Sequence, residues 1–202
     1  QVNSTPGTTS DRVILTTQVT ERATGEFTLG GGYSTDAGFL ADVGLRERNL
    51  LGTGIDARAN VTLAQKRSQV DISVTDPQFL ERNLAAGADL FLVQRNLQST
   101  SGYNERRAGF VARMGYEINE RLRQTWSYSL VDRELYDVDP GTSRFIQEQA
   151  GSTLLSQAST TITYDRRDSR IEPRDGYIVR TGADLAGIGG DVYYVRLRSD
   201  GQ

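Results

Sequence analysis

The 202-residue chain contains no cysteine and no histidine. Thiolate chemistry, histidine acid–base catalysis, the Ser-His-Asp triad and most zinc sites are excluded together. A cysteine-free chain also suits the oxidising cell envelope. Lysine occurs once, at Lys66, so the remaining cations are arginines. The formal net charge of -3 gives no basic footprint for nucleic acid, and no such partner is expected. No run of 18 apolar residues exists, so no transmembrane helix is encoded. A transmembrane barrel is untouched by that absence, because its apolar surface is spread over alternate residues. No secretory leader opens the chain, which starts in the polar stretch Gln1–Ser10; it reads either as cytoplasmic or as an internal piece of a longer protein.

What the sequence does have is alternation. Residues 1–10 read as a loop, and residues 11–22 as a strand with Val13, Leu15, Thr17 and Val19 on one face. Phe27, Leu29, Gly31 and Tyr33 share a face of the next strand. Phe39, Ala41, Val43 and Leu45 then alternate with Leu40, Asp42, Gly44 and Arg46. Similar patterns run through Ile55–Leu63, Val70–Val74, Leu84–Leu92, Phe110–Tyr116, Trp126–Leu130, Thr160–Tyr164, Tyr177–Leu185 and Tyr193–Leu197. Residues 94–107 read as a long polar loop. Residues 132–157 break the rhythm, with a short helix expected around Arg144–Gly151. The sum is about ten strands of roughly 8–11 residues in antiparallel hairpin order, the length a tilted strand needs to cross a bilayer.

Alternation alone does not distinguish a soluble sandwich, apolar face inward, from an outer-membrane barrel, apolar face outward. Three features favour the barrel. The apolar face is rich in small residues (Ala41, Ala57, Ala59, Ala86, Ala88, Ala112), a poor soluble core but an acceptable lipid-facing wall. Phe79, Tyr116, Tyr164 and Tyr177 fall near strand ends beside one set of turns, as an interfacial girdle requires. Short turns on one end and long loops on the other fit the same habit. The polar face then becomes a hydrated lumen lined by Asp42, Arg46, Asp56, Arg58, Asn60, Asp71, Asp89, Arg113, Arg180, Asp184 and Arg196.

Three motifs, in order, carry a resemblance: "NLLGTG" from Asn49 to Gly54, "TDPQFL" from Thr75 to Leu80, and "DRRDSRIEPRDG" from Asp165 to Gly176. With the preceding "TGEFTLGGGYS", the chain from about Asp11 onward resembles the BamA family. These are the central subunits of the barrel assembly machinery of Gram-negative outer membranes, in a superfamily that joins POTRA domains to a barrel. Gln78 and Glu172 stand where the family usually has aromatics. The resemblance implies an all-β, antiparallel transmembrane barrel, of which this chain is the N-terminal part. By the same resemblance, residues 1–24 are expected to be the end of the last POTRA domain and a linker, and residues 25–202 a truncated barrel portion. It also implies a non-enzymatic insertase without cofactor or metal, localised to the bacterial outer membrane. Its partners are unfolded outer-membrane protein clients, assembly-machinery lipoproteins, outer-membrane lipid and lipopolysaccharide. The first barrel strand, with Glu26, Phe27, Thr28, Leu29, Gly30, Gly31, Gly32 and Tyr33, becomes the edge of a lateral gate. Asn49, Leu50, Leu51, Gly52, Gly54, Asp76, Pro77, Phe79, Asp165, Arg167, Asp168, Pro173 and Gly176 become periplasmic turns. The alternatives are a related superfamily transporter of the translocation and assembly module or two-partner secretion type, a passive porin, and a soluble lipocalin-like barrel.

The residues also admit plainer readings. Gly30–Gly32 weaken a strand, and by themselves read as a bulge or a close-packing site. Asp165 and Asp168 are a carboxylate pair of the kind glycosidases and Ca²⁺ sites use. A turn closed by Asp–Arg pairs and shaped by Pro173 and Gly176 is the stronger account. "LLGTG" and "AGIGGD" open no helix, so phosphate cradling is not supported. Leu50 and Leu51 are out of place in a turn unless a bilayer or a neighbouring periplasmic module lies beside them.

Overall fold

The structure is a computed structural model that describes residues 2–6, 13–17, 23–35 and 37–202. Among the described residues are twelve strands, two short helical turns and two 3₁₀ turns. β1 (Val2–Pro6) and β2 (Val13–Thr17) pair antiparallel as a two-stranded sheet. The expected N-terminal loop is therefore partly strand: Val2–Pro6 finds its ladder partners in the segment where Ile14 and Leu15 lie. Val19 lies outside the described residues.

The other ten strands form one sheet: β3 (Gly25–Ser34), β4 (Gly38–Glu47), β5 (Asp56–Ala64), β6 (Arg67–Asp76), β7 (Leu84–Asn96), β8 (Asn104–Asn119), β9 (Leu122–Tyr136), β10 (Gly151–Asp165), β11 (Ile178–Ala186) and β12 (Tyr194–Gly201). Spatial order follows sequence order throughout, so the sheet is an antiparallel meander with β3 and β12 at its edges. Two residues suffice to turn an antiparallel pair, and Gln65–Lys66 and Glu120–Arg121 do so here.

Strand length departs from expectation in the middle of the sheet. β3–β6 run 9 or 10 residues, as the pattern implied. β7–β10 run 13, 16, 15 and 15 residues. The polar segments read as loops at 94–107 and 132–157 are largely strand: β7 continues to Asn96, β8 starts at Asn104, β9 reaches Tyr136 and β10 begins at Gly151. The helix in the second segment is one turn, Arg144–Gln147. At about 3.4 Å per residue and the usual tilt, a 16-residue strand rises roughly 40 Å, well past an apolar band of about 25 Å. Beyond that band a strand no longer needs apolar residues on either face, and the alternation signal fades there.

The faces are inverted relative to a soluble protein. Register places Phe27 opposite Leu45, Leu45 opposite Ala59, Ala59 opposite Ile72 and Ile72 opposite Leu90, a continuous apolar row across five strands. Phe27, Leu29, Phe39, Leu63, Leu90, Trp126 and Leu197 on this face are all exposed. Among the described residues the largest fully buried side chains are both polar: Asp184 on the concave face, and Ser156, which register sets opposite Leu130 on the convex face and whose hydroxyl donates to Ile188 O at 2.6 Å. Apolar surface outside and polar groups inside is the arrangement that lipid selects.

The opposite face is polar and concave. One cavity of about 660 Å³ touches Thr75 of β6 and Arg198 of β12. Those strands are six positions apart in the sheet, roughly 29 Å if it were flat. A shared cavity requires the sheet to curl around its polar side. The small alanines singled out in the sequence, Ala41, Ala57, Ala59, Ala86, Ala88 and Ala112, fall in register on the convex apolar face.

Candidate functional site

Three features carry chemistry or recognition: the free edge of β3, the ion-pair rows of the concave face, and the turns at one end of the sheet.

β3 pairs with β4 alone, from Gly25–Glu47 to Ser34–Gly38, without a break in register. The N–H and C=O groups on its other side have no strand partner among the described residues. No bulge marks Gly30–Gly32, and none of the three has a positive φ. A Cβ built on Gly30, Gly31 or Gly32 would meet its nearest neighbour at 3.7, 3.7 and 3.8 Å, ordinary contact distances. Neither backbone geometry nor packing demands glycine there. What three consecutive glycines do provide is a strand that loses more entropy on ordering and packs no side chains. Beside them Tyr33 meets Phe39 edge-on at 5.1 Å, and Phe27 and Leu29 stay exposed.

The expected polar-face residues do share the concave face, and ion pairs group them. Asp56 accepts from Arg46 at 2.6 Å and Arg58 at 3.0 Å. Arg113 reaches from β8 across β7 to β6, donating to Asp89 at 2.7 Å, Thr75 at 2.7 Å and Ser73 at 3.1 Å. Its path needs Gly87, where a Cβ would stand 2.8 Å from Arg113 Nε. Asp184 takes Arg196 and Arg198, both at 2.8 Å. Arg180 meets Asp200 at 3.0 Å. Asp71 accepts from Gln69 at 2.7 Å, and Asp42 from the Thr62 hydroxyl.

One cluster was missed by the sequence reading. Glu105, 4% exposed, accepts from Arg133 at 2.7 Å and Arg107 at 3.0 Å, with Arg95 at 3.8 Å. All four lie on the strand extensions whose polar sequence reads as loop. The period-two sequence Glu105, Arg107, Gly109, Val111, Arg113 carries the signal, since it continues the polar row of β8 upward.

Residues 48–55, 77–83, 120–121 and 166–177 connect strands at the same end of the sheet. In the last of these, Arg167 pairs with Asp165 at 2.8 Å. Asp168 Oδ1 accepts from the backbone N–H groups of Ser169, Arg174 and Asp175 at 2.9, 2.9 and 3.2 Å. Those N–H donors, Arg174 and Asp175 foremost, hold the Asp168 carboxyl below the usual carboxylate range. Pro173 lies inside this loop, and Gly176, at φ 98°, closes it where a Cβ would lie 2.2 Å from Arg166 O. Both carboxylates of the candidate pair are thus engaged in holding the turn. Tyr164 and Tyr177 approach to 6.0 Å at this end, where Tyr116 of β8 and Phe79 of the 77–83 turn also lie. In the first turn Asn49 Oδ1 accepts from Gly54 N at 2.6 Å, Gly52 and Gly54 have φ of 78° and 76°, and Leu51 is 93% exposed. In the second, Asp76 Oδ1 accepts from Gln78 N at 2.9 Å beside Pro77, and Phe79 is 40% exposed.

Comparison with known proteins accords with this geometry. Residues 49–202 match the Omp85 superfamily domain, the match beginning at the Asn49 turn. The chain is 32% identical over 93% of its length to the outer membrane protein assembly factor BamA of Neorickettsia risticii. It is 30% identical over 95% of its length to that of Nitratidesulfovibrio vulgaris. It is also 28% identical over 90% of its length to the human sorting and assembly machinery component 50 homolog. The chain spans about a quarter of the two bacterial relatives, 25% and 24%, and 38% of the human one. Among solved structures, BamA from Haemophilus ducreyi lacking POTRA domains 1–3 superposes over the whole chain and 42% of its own, with a TM-score of 0.72 at 17% identity. That likeness speaks to the fold.

Proposed function

The chain belongs to the Omp85 superfamily, and from that premise we propose that it forms part of an outer-membrane wall that folds and inserts other β-barrel proteins, using the free side of β3 as the edge on which client strands add. The observation that carries this reading is the glycine run of β3. It leaves a weakly specified strand at the edge of the sheet, where no steric demand for glycine exists. Addition of a strand to an edge works through main-chain hydrogen bonds, which are indifferent to client sequence. That suits a machine with many clients.

In this reading the concave face is the hydrated lumen and the convex face meets lipid. The turn end faces the periplasm, and residues 1–24 finish a POTRA domain and its linker. The partners are unfolded outer-membrane protein clients, the lipoproteins of the assembly machinery, and outer-membrane lipid with lipopolysaccharide. No covalent step and no nucleotide is needed. The driving force is the client's own folding: burial of apolar surface in lipid and closure of backbone hydrogen bonds that no water can satisfy there.

The test is site-specific photocrosslinking in the full-length protein during client assembly, with the probe at Thr28, Gly30 or Gly32. Client strands should be captured at these positions. Capture should fall in Gly31→Val, which strengthens the pairing of β3 and whose Cβ meets its nearest neighbour at an ordinary 3.7 Å. Crosslinks confined to the protein's own last strand, unchanged by Gly31→Val, would overturn the reading.

A further inference from the structure

Two neighbouring turns share one unusual backbone. In Leu50–Thr53, Leu51 (φ 53°) and Gly52 (φ 78°) are both left-handed, and Thr53 N donates to Leu50 O at 3.1 Å. In Phe79–Arg82, Leu80 (φ 56°) and Glu81 (φ 57°) are both left-handed, and Arg82 N donates to Phe79 O at 3.3 Å. The entry is repeated too. Asn49 N donates to Glu47 Oε1 at 3.0 Å, and Gln78 N donates to Asp76 Oδ1 at 2.9 Å. Two positive φ values in succession call for Asn, Asp or Gly, yet both turns place leucine at the first of them. A bulky left-handed residue is an outlier that needs a reason. No packing among the described residues supplies one: Leu51 is 93% exposed and Leu80 is 70% exposed.

The same pairing of an exposed apolar residue with an arginine within three positions recurs along this end: Leu51 with Arg48, which also meets Glu26 at 3.1 Å; Leu80 with Arg82; Ile118, at the end of β8, with Arg121; and Ile171, 93% exposed, with Arg170, which also donates to Glu120 O at 3.3 Å. Successive turns are two strands apart, about 10 Å along the rim. A protein partner would engage one or two such points, whereas a bilayer surrounds the rim and meets all of them. They also continue the convex apolar face, where Leu45, Ala57, Val74 and Ala86 approach this end.

We propose that these tips are interfacial anchors. Leu51, Leu80, Ile118 and Ile171 sit at the headgroup–acyl boundary of the leaflet on the turn side, and the adjacent guanidinium groups lie at the lipid phosphates. Arginine suits that level because it offers phosphate a planar fork of donors while its stem stays in apolar surroundings. The left-handed leucines are retained because lipid, not the fold, contacts them. This rests on the reading of the sheet as a membrane wall.

The test uses the full-length protein, without other cysteines, in vesicles of phosphatidylethanolamine with a minority of phosphatidylglycerol. An environment-sensitive fluorophore is attached at Leu51→Cys, Leu80→Cys or Ile171→Cys, the last being independent of the left-handed backbone. Phe110→Cys on the convex face and Ser127→Cys on the concave face serve as references. The tip labels should be quenched about twofold by a doxyl group placed high on the lipid acyl chain, and little by aqueous iodide. Iodide quenching of the tips, with Phe110→Cys still quenched by a deep doxyl group, overturns the anchors and leaves the wall intact. Tips shielded from both quenchers overturn them in favour of a covering protein. Loss of lipid quenching at Phe110→Cys as well overturns the wall itself.

Discussion

Arg133 Nε donates to Glu105 Oε1 at 2.7 Å, diagonally across the β8–β9 ladder. Arg107, opposite Arg133 in register, donates to the same oxygen, and Arg95 approaches Oε2 from β7, so one buried anion draws in cations from three strands. These contacts lie where β7–β9 rise beyond the height an apolar band covers. There the ladder is held by charge rather than by lipid. Glu105→Ala removes the anion and leaves three guanidinium groups facing one another. The expected cost is about 1–3 kcal/mol, confined to the tips of β7–β9 because the arginines are themselves part-exposed. Amide hydrogen exchange at Arg95–Asn96, Asn104–Arg107 and Arg133–Tyr136 should accelerate, while the strand centres stay protected. Glu105→Gln should fall between Ala and wild type, keeping shape but not charge. Unchanged exchange at the tips in Glu105→Ala would show that the cluster does not hold the extensions.

The cluster also shows how far the sequence was legible. Between Gly25 and Asp76 alternation is regular, and β3–β6 fall where the pattern places them, because each strand there is little longer than the apolar band. The glycine run, the Asn49 turn and the Asp165–Gly176 loop were each visible as local chemistry. The extensions of β7–β10 were not, since polar residues on both faces read as loop. β1 was hidden for a related reason: Val2–Pro6 carries polar residues and a terminal proline, and only its partner strand makes it β. Leu80 carries no sequence signal, because a left-handed backbone leaves no mark on residue type when leucine occupies it.

The leucine turns make a prediction about stability that is independent of lipid. Left-handed φ costs a leucine about 1–2 kcal/mol, whereas asparagine tolerates it. Leu51→Asn in detergent micelles should therefore raise the thermal midpoint, by the equivalent of about 1 kcal/mol. Gly52→Ala should lower it by a similar amount, although a Cβ there meets nothing within 4 Å, because φ of 78° disfavours any side chain. The two substitutions are neighbours and both exposed, so opposite signs isolate the backbone term. A lower midpoint for Leu51→Asn would mean that the leucine makes contacts in the fold that outweigh its strain.

The loop after β10 should respond to acid with a definite sign. Asp168 accepts three backbone N–H groups, which favour its ionised form and hold its carboxyl below the usual range. A group with a depressed folded pKa stabilises the folded loop above the ordinary carboxylate range. That contribution is lost as pH falls through the lowered value. The amide resonances of Ser169, Arg174 and Asp175 should therefore move at lower pH than resonances reporting a free aspartate. At neutral pH, Asp168→Ala removes the acceptor from all three amides at once. The segment Ser169–Asp175 then keeps the Asp168 N–Asp175 O bond, the Ser169 hydroxyl contacts, Pro173 and the Gly176 closure, but loses its central acceptor, and trypsin should cleave at Arg170 faster than in the wild type. Titration of those amides together with free aspartate, or an unchanged cleavage rate in Asp168→Ala, would mean that the turn is held by Gly176 and the Asp165–Arg167 pair, with Asp168 a bystander.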